Sequence, residues 1–458
     1  MTSPTARSVS RLAAVLLVVS VSGVSGGEAE PVYPAVDWAP ASPREAGMDE
    51  ELLDALGKLA GGAGCVVRGG RLVASWGSRE VLWDLKSTTK SIGVTALGLA
   101  IADGLVRLDA AAETYHPGFG VPPATNGDLG WVPDITIRHL ATHSAGFEKG
   151  GGFSALGFAP GTCFAYSDGG ANWLADCLTF VFAADLRTVL LDRLFEPIGI
   201  SGSRVRWRSN AYRPTTINGV VRREIGSGLR LSVDAMARIG YLYLRRGRWR
   251  GEQILSPGFV DRVATPDAAI VGLDCRGIDA ELRSGDHYGL LWWNNGDGTI
   301  EDLPRDAYWS WGLYESLIVV IPSLDLVVSR AGGAWQDGWV PDYSVLAPFL
   351  SLVARSARVE RPRFNRGDVD DDGILGVTDA VTLLVRLFGR GQPLQCVEAA
   401  DGNNDGFVDI SDAIAILLYH FLGGAVLAEP GPPGSPCGED TDAPGSSGDL
   451  GCLRHDSC

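Results

Sequence analysis

Apolar positions are grouped differently along the two ends of the chain. Residues 66–67 and 72–76 are strand-like runs around the turn at 68–71, the pattern of a β-hairpin. Near residue 320 the runs 316–321 and 326–329 flank Pro322-Ser323-Leu324-Asp325 and predict a second hairpin. Between about residues 48 and 355 helical and strand-like patterns alternate irregularly. Strands from both ends are therefore expected to share one antiparallel sheet with a helical middle packed beside it, an α+β arrangement. A helix is predicted from Ser87 to about Asp103, stopped by Gly104, and another over 172–182. After Arg361-Pro362-Arg363 the pattern changes to two short apolar helices, 380–388 and 413–422, each following an acidic loop.

The first residues belong to neither part. Arg7 and Arg11 precede the apolar run 12–21 and the small residues 22–27, the order of a secretory signal peptide cut between Gly26 and Ala29. That run is too short to span a bilayer, and no later segment offers a long apolar span. The expected organisation is a leader over 1–29, a large domain over 30–360, a helical module over 361–424 and a Cys-rich, Pro/Gly-rich tail over 425–458. An exported protein, periplasmic or extracellular, is expected. Export makes all eight cysteines candidates for disulfides. Cys65, Cys163, Cys177 and Cys275 lie in the large domain, whereas Cys396, Cys437, Cys452 and Cys458 lie in the tail, where spacing leaves three pairings open. No CxxC occurs, so zinc-ribbon and thioredoxin readings lack support.

With 458 residues, 45% hydrophobic and 21% charged, the chain is globular and long enough for at least two folded units. Its net charge of −16 argues against a general nucleic-acid binder. Residues 365–458 hold 13 Asp and three Glu against four Arg and no Lys, a net −12. The spacing of those carboxylates is regular. Asp368, Asp370, Asp372, Gly373, Ile374 and Asp379 recur 33 residues later as Asp401, Asn403, Asp405, Gly406, Phe407 and Asp412.

Calcium needs about six to eight oxygens, and a 12-residue loop supplies them from positions 1, 3, 5, 7, 9 and 12, with Gly at 6 for the turn. Asp368, Asp370, Asp372, the Ile374 carbonyl and Asp379 would form one site. Asp401, Asn403, Asp405, the Phe407 carbonyl and Asp412 would form the other, with Asp409 available through water. Two Ca²⁺ ions are thus the expected cofactors, and the module is expected to be largely unfolded without them. Residues 365–424, with Asp at position 12 and paired loop–helix units, resemble a type I dockerin. That resemblance implies an EF-hand-like helical pair and a cohesin-like protein partner.

The large domain carries a second constellation. Ser87-Thr88-Thr89-Lys90 opens a helix, and three helical residues turn about 300° and rise about 4.5 Å, so the Ser87 and Lys90 side chains can meet. The helix start also offers unpaired N–H groups for a developing oxyanion. Only four of the 39 basic residues are Lys (Lys58, Lys86, Lys90 and Lys149), and Arg cannot serve as a base, so a Lys in this position invites a chemical role. Acting as a base requires Lys90 to be neutral, and burial beside the apolar helix is expected to achieve this. Tyr166-Ser167-Asp168 follows in a Gly-flanked loop, where a phenol can relay a proton.

Together with the segment from Ile135 to Phe147, these motifs make residues 45–350 resemble the serine β-lactamase and penicillin-binding-protein superfamily, closest to its class C-like branch. The resemblance implies an antiparallel sheet flanked by helices plus a helical lobe. It makes Ser87 the acylated nucleophile, Lys90 its base and Tyr166 the partner in proton transfer, with no catalytic cofactor. Asp168 takes the third position of a Tyr-x-Asn motif, where a substrate amide is usually held. Ser310-Trp311-Gly312 stands where the family carries Lys-Thr-Gly or His-Thr-Gly, so Trp311 and Gly312 would border the substrate, and the Leu313 and Ser87 N–H groups would form the oxyanion hole. The missing cation favours ester or amide substrates over β-lactams. His139 and His143 are read as structural. The alternative is a catalytically inactive binding or scaffold protein attached through its docking module.

Overall fold

The computed structural model describes residues 31–273, 282–336, 343–357, 362–389, 391, 394–424, 427–442, 448, 450–452 and 455–458. The expected leader, Cys275 and Arg361 of the expected linker lie outside the described residues. Seven strands form the main sheet: β1 (Ala39–Pro40), β2 (Ala63–Arg68), β3 (Arg71–Trp76), β4 (Trp293–Asn294), β5 (Tyr308–Gly312), β6 (Ser316–Ile321) and β7 (Leu326–Ala331). Their spatial order is β1–β3–β2–β7–β6–β5–β4. The two predicted hairpins form its centre, and β2 pairs with β7 so that Val66 faces Val328. All pairs are antiparallel except β1 with β3.

The helices around this sheet are α1 (Glu50–Ala60), α2 (Thr88–Gly93), α3 (Thr95–Ala102), α4 (Asp168–Phe182), α5 (Val233–Leu244) and α6 (Tyr343–Ser356). Strands β6 and β7 are buried at every position, and their uninterrupted apolar runs reflect a sheet covered on both faces. On one face Ser329 donates its hydroxyl proton to the Val233 carbonyl at the start of α5. A Cβ on Gly240 of α5 would lie 2.7 Å from a Val327 methyl and 2.8 Å from one of Ile318, so the missing side chain lets helix and sheet touch. On the other face Arg330 donates to the Ala60 carbonyl at the end of α1. That helix follows from its sequence: Asp49 caps the Glu51 and Leu52 N–H groups, and Leu53, Leu56 and Ala60 form its buried stripe.

Two helix boundaries differ from expectation. The segment opened by Ser87 is two helices joined at Val94, and α4 begins at Asp168 rather than at residue 172. Gly169 and Gly170 conceal that first turn from a propensity reading, yet Ser167 caps it by accepting from the Gly170 N–H.

The tail helices are α7 (Val377–Phe388) and α8 (Ile410–Leu422), which share a small core of Ala380, Leu383, Ala413 and Ile416. Both begin three residues before the predicted start, because Asp379 and Asp412 reach back to accept from the Gly376 and Asp409 N–H groups. Each helix also leaves an apolar stripe exposed: Val377, Val381, Val385 and Phe388 on α7, and Ile410, Ile414, Leu418 and Phe421 on α8. Disulfides Cys396–Cys452 and Cys437–Cys458 select one of the three open pairings. Of the large-domain candidates Cys163 is disulfide-bonded, whereas Cys65 and Cys177 are free. Cys65 lies on β2 against Ser329 and Cys177 on α4 against the Ala112 carbonyl. Burial pushes the Cys65 thiol up to about 12 and raises Cys177 as well. No helix among the described residues is long and apolar enough to cross a membrane.

Replacing Gly240 by Val should force α5 off the sheet and lower unfolding stability by about 1–3 kcal/mol, measurable by urea or thermal unfolding of the full chain.

Candidate active site

Backbone geometry sets up the start of α2. Lys86, in the left-handed region at φ 50°, turns the chain into the helix and is held by Asp84, whose carboxylate accepts from both its N–H and its ammonium. Thr88 then ties the helix to the sheet by donating to the Ser316 carbonyl. Strand β5 comes so close that a Cβ on Gly312 would lie 2.3 Å from the Leu85 carbonyl oxygen and 3.0 Å from the Thr88 nitrogen. Only glycine fits this contact. Because β4 covers just Tyr308 and Trp309, residues 310–312 are left unpaired on that edge and face α2.

One turn into α2, Lys90 is buried, its side chain 1% exposed. Its ammonium donates to Ser87 Oγ at 3.2 Å, to the Gly226 carbonyl at 2.8 Å and, through a shorter contact, to Asp168 Oδ1. An ammonium has three donors, and here all three are used. The buried amine thus meets a carboxylate and a backbone carbonyl as well as the apolar helix that the sequence suggested. Asp168 does not stand free for a substrate amide in this arrangement. Burial pushes its carboxyl upward, but the Lys90 and Lys149 charges and the Lys90 hydrogen bond outweigh that and hold it below the usual carboxylate range. On the acid side the pair is lost as pH falls through that lowered value.

Tyr166 stands beside this cluster. Lys90 Nζ lies 4.8 Å from its ring centroid and Lys149 Nζ 4.1 Å, while Trp293 stacks on it at 6.0 Å. His143 holds the loop: its Nδ1 accepts from the Ser167 N–H, so its Nε2 carries the proton toward the Tyr288 hydroxyl. Burial, reinforced by the Lys90 and Lys149 charges, keeps the imidazole neutral by lowering its pKa well below the usual value. His139 takes part in a capping box with Thr136. Both histidines do structural work at these positions.

The remaining predicted residues follow. Ser310 is buried, its hydroxyl accepting from the Ile318 N–H, so this position presents nothing to a substrate. Trp311 is 4% exposed and packs edge-on against Trp293, 5.6 Å between centroids. Leu313 is half-buried and opens a turn in which Tyr314 and Glu315 both adopt positive φ. Sequence reasoning missed the Gly226 carbonyl, which no motif marks, and Lys149, which the scarcity of lysine could have singled out.

In the tail, both acidic loops repeat the same internal contacts. Asp368 and Asp401 each accept from the N–H groups four and five residues on, Asp372 and Asp405 each accept from the residue two further on, and Gly373 and Gly406 both adopt positive φ. Carboxylate oxygens of Asp368, Asp370 and Asp372 lie within 4.8 Å of one another. Asp379 and Asp412, buried and raised to about 6 mainly by desolvation, accept instead from N–H groups of their own loops. The Ile374 and Phe407 side chains point to solvent. Asn403 donates to Asp405 and Ser411. The first loop is additionally covered by Ser457, which donates to Asp368, and by His455.

Comparison with solved structures shows the same fold at low identity. A novel penicillin-binding-protein homologue from Caulobacter crescentus aligns with a TM-score of 0.50 at 15% identity, over 68% of this chain and 98% of that one. A Bacteroides dorei DSM 17855 protein provisionally called a beta-lactamase aligns with a TM-score of 0.52 at 17% identity, over 67% and 99%. EstCE1, described as a hydrolase with promiscuous acyltransferase activity, gives 0.50 at 18% identity, over 67% and 98%. No curated protein matches the chain. The Beta-lactamase family model matches residues 50–331, well over half of the chain, and with the fold just described this places the protein in the Beta-lactamase family of serine hydrolases.

Proposed function

We propose that the large domain is a serine hydrolase that forms an acyl-enzyme on Ser87 with ester or amide substrates. The observation that carries this reading is the Lys90 ammonium donating at 3.2 Å to Ser87 Oγ at the start of a helix, beside Tyr166 and against Asp168. For attack, Ser87 gives its proton to Lys90 as Oγ bonds to the substrate carbonyl carbon. Lys90 can accept it only after its own extra proton has passed to water, which reaches the pair at the partly exposed Asp168. Collapse of the tetrahedral intermediate expels the leaving group, which takes a proton by way of Tyr166, and water then releases the acyl group. The N–H groups of Ser87 and Leu313 serve the oxyanion, with the tight approach of Gly312 keeping them together. With Ser310 buried and no cation on β5, a β-lactam carboxylate lacks its usual seat there, which favours esterase chemistry.

We further propose that residues 365–424 bind two Ca²⁺ ions and dock a cohesin-like partner. The residues fit the ion: Asp401 is fully buried with its carboxylate on the Asp405 and Gly406 N–H groups of its own loop, and Asp370 carries a buried carboxylate oxygen without a partner. Calcium would supply the missing counter-charge. The exposed apolar stripes on α7 and α8 offer a surface for the partner. Export fits the two tail disulfides, which persist in oxidising compartments.

A fluorophosphonate probe should label Ser87 in the full chain, and Lys90→Met should slow labelling at least about 100-fold; a folded protein that takes no label supports a scaffold instead. Asp168→Asn removes the carboxylate that faces both Lys90 and Lys149, so kcat/KM should fall at least about 10-fold in a protein that still folds. An unchanged kcat/KM would show that Asp168 takes no part in the reaction. Calorimetric titration should find two calcium sites, one of them lost in Asp401→Ala, and a chelator should lower the melting temperature of the tail.

A further inference from the structure

The Lys-Thr-Gly cation is missing from β5, yet the site is not without an exposed ammonium. Lys149 lies in the loop Gly146-Phe147-Glu148-Lys149-Gly150-Gly151-Gly152, and its backbone is fixed. The Lys149 carbonyl accepts from the Asp168 N–H, the Glu148 carbonyl from the Ser167 hydroxyl, and the Gly151 carbonyl from Asn172. Arg213, fully buried on Asp176, donates to the carbonyls of both Gly152 and Gly169 and so clamps the loop to the start of α4.

The side chain on this fixed support is 59% exposed. Its ammonium stands 4.1 Å from the Tyr166 ring centroid and 3.6 Å from Asp168 Oδ2. That second distance is an ion pair outside hydrogen-bond range, so Asp168 leaves the Lys149 donors unspent. Asp168 is also shared with Lys90, its nearer ammonium partner. Lys86 cannot play the same part, because Asp84 holds it.

We infer that Lys149 is a specificity residue that receives a substrate carboxylate, so the preferred substrates are esters or amides bearing an anionic group on the acyl portion. This rests on the acyl-enzyme reading. The cation has moved from the strand to the glycine loop and approaches the substrate from the Tyr166 side. A carboxylate held there would meet unspent N–H donors on a charged group, a stronger contact than a neutral one.

The test uses the full-length protein and a matched pair of esters, neutral p-nitrophenyl butyrate and anionic mono-p-nitrophenyl glutarate. The native protein should favour the anionic ester in kcat/KM. Lys149→Met should lower the anionic-to-neutral ratio about 10-fold, mainly through KM, with Lys149→Arg restoring most of it. An unchanged ratio, including a parallel loss on both esters, overturns the assignment. Calorimetric binding of the same two esters to Ser87→Ala protein repeats the comparison without turnover. There the anionic ester should bind more tightly and lose that advantage in Ser87→Ala/Lys149→Met, while equal binding counts against Lys149. If the native protein takes no fluorophosphonate and cleaves neither ester, the acyl-enzyme reading fails, and the Ser87→Ala titration still decides the role of Lys149.

Discussion

The large domain is organised around one buried ammonium. A charge removed from water is tolerated only when its donors are met, and the three acceptors of Lys90 come from the start of α2, the start of α4 and the turn at Gly226. Those segments are distant in sequence, so the helical lobe and the sheet must close correctly before the charge is satisfied. Thr88, Gly312 and Ser167 each serve this closure by fixing one of the approaching backbones. Loss of any of the three acceptors would leave a buried cation short of a partner, which makes the site a determinant of folding as well as of chemistry.

Much of this was legible in the sequence wherever the signal was local or periodic. The two hairpins, the i to i+3 relation of Ser87 and Lys90, and the 33-residue repeat all depend on neighbours along the chain, and all three appear in the structure where the pattern placed them. What could not be read depends on contacts across the fold. Asp168 reads as a changed substrate contact, but its carboxylate lies on Lys90. The Gly226 carbonyl has no side chain to announce it. The pairing of four tail cysteines needed three dimensions, and the break at Val94 lies in a run of good helix formers.

The departure at Ser310-Trp311-Gly312 has effects beyond one absent charge. Trp311 joins Trp293 and Tyr343 in a continuous aromatic group, and Trp293 continues to the ring of Tyr166. Bulk replaces polarity on that side of the cleft.

The solitary thiol on β2 has a practical use. Cys65 is completely enclosed between the sheet and α5, with Ser329 and the Val233 carbonyl as its neighbours. A thiol-modifying dye can reach it only when helix and sheet separate. Its modification, together with that of Cys177 buried on α4, is thus an intrinsic clock for opening of the large domain, distinct from any signal of the cross-linked tail.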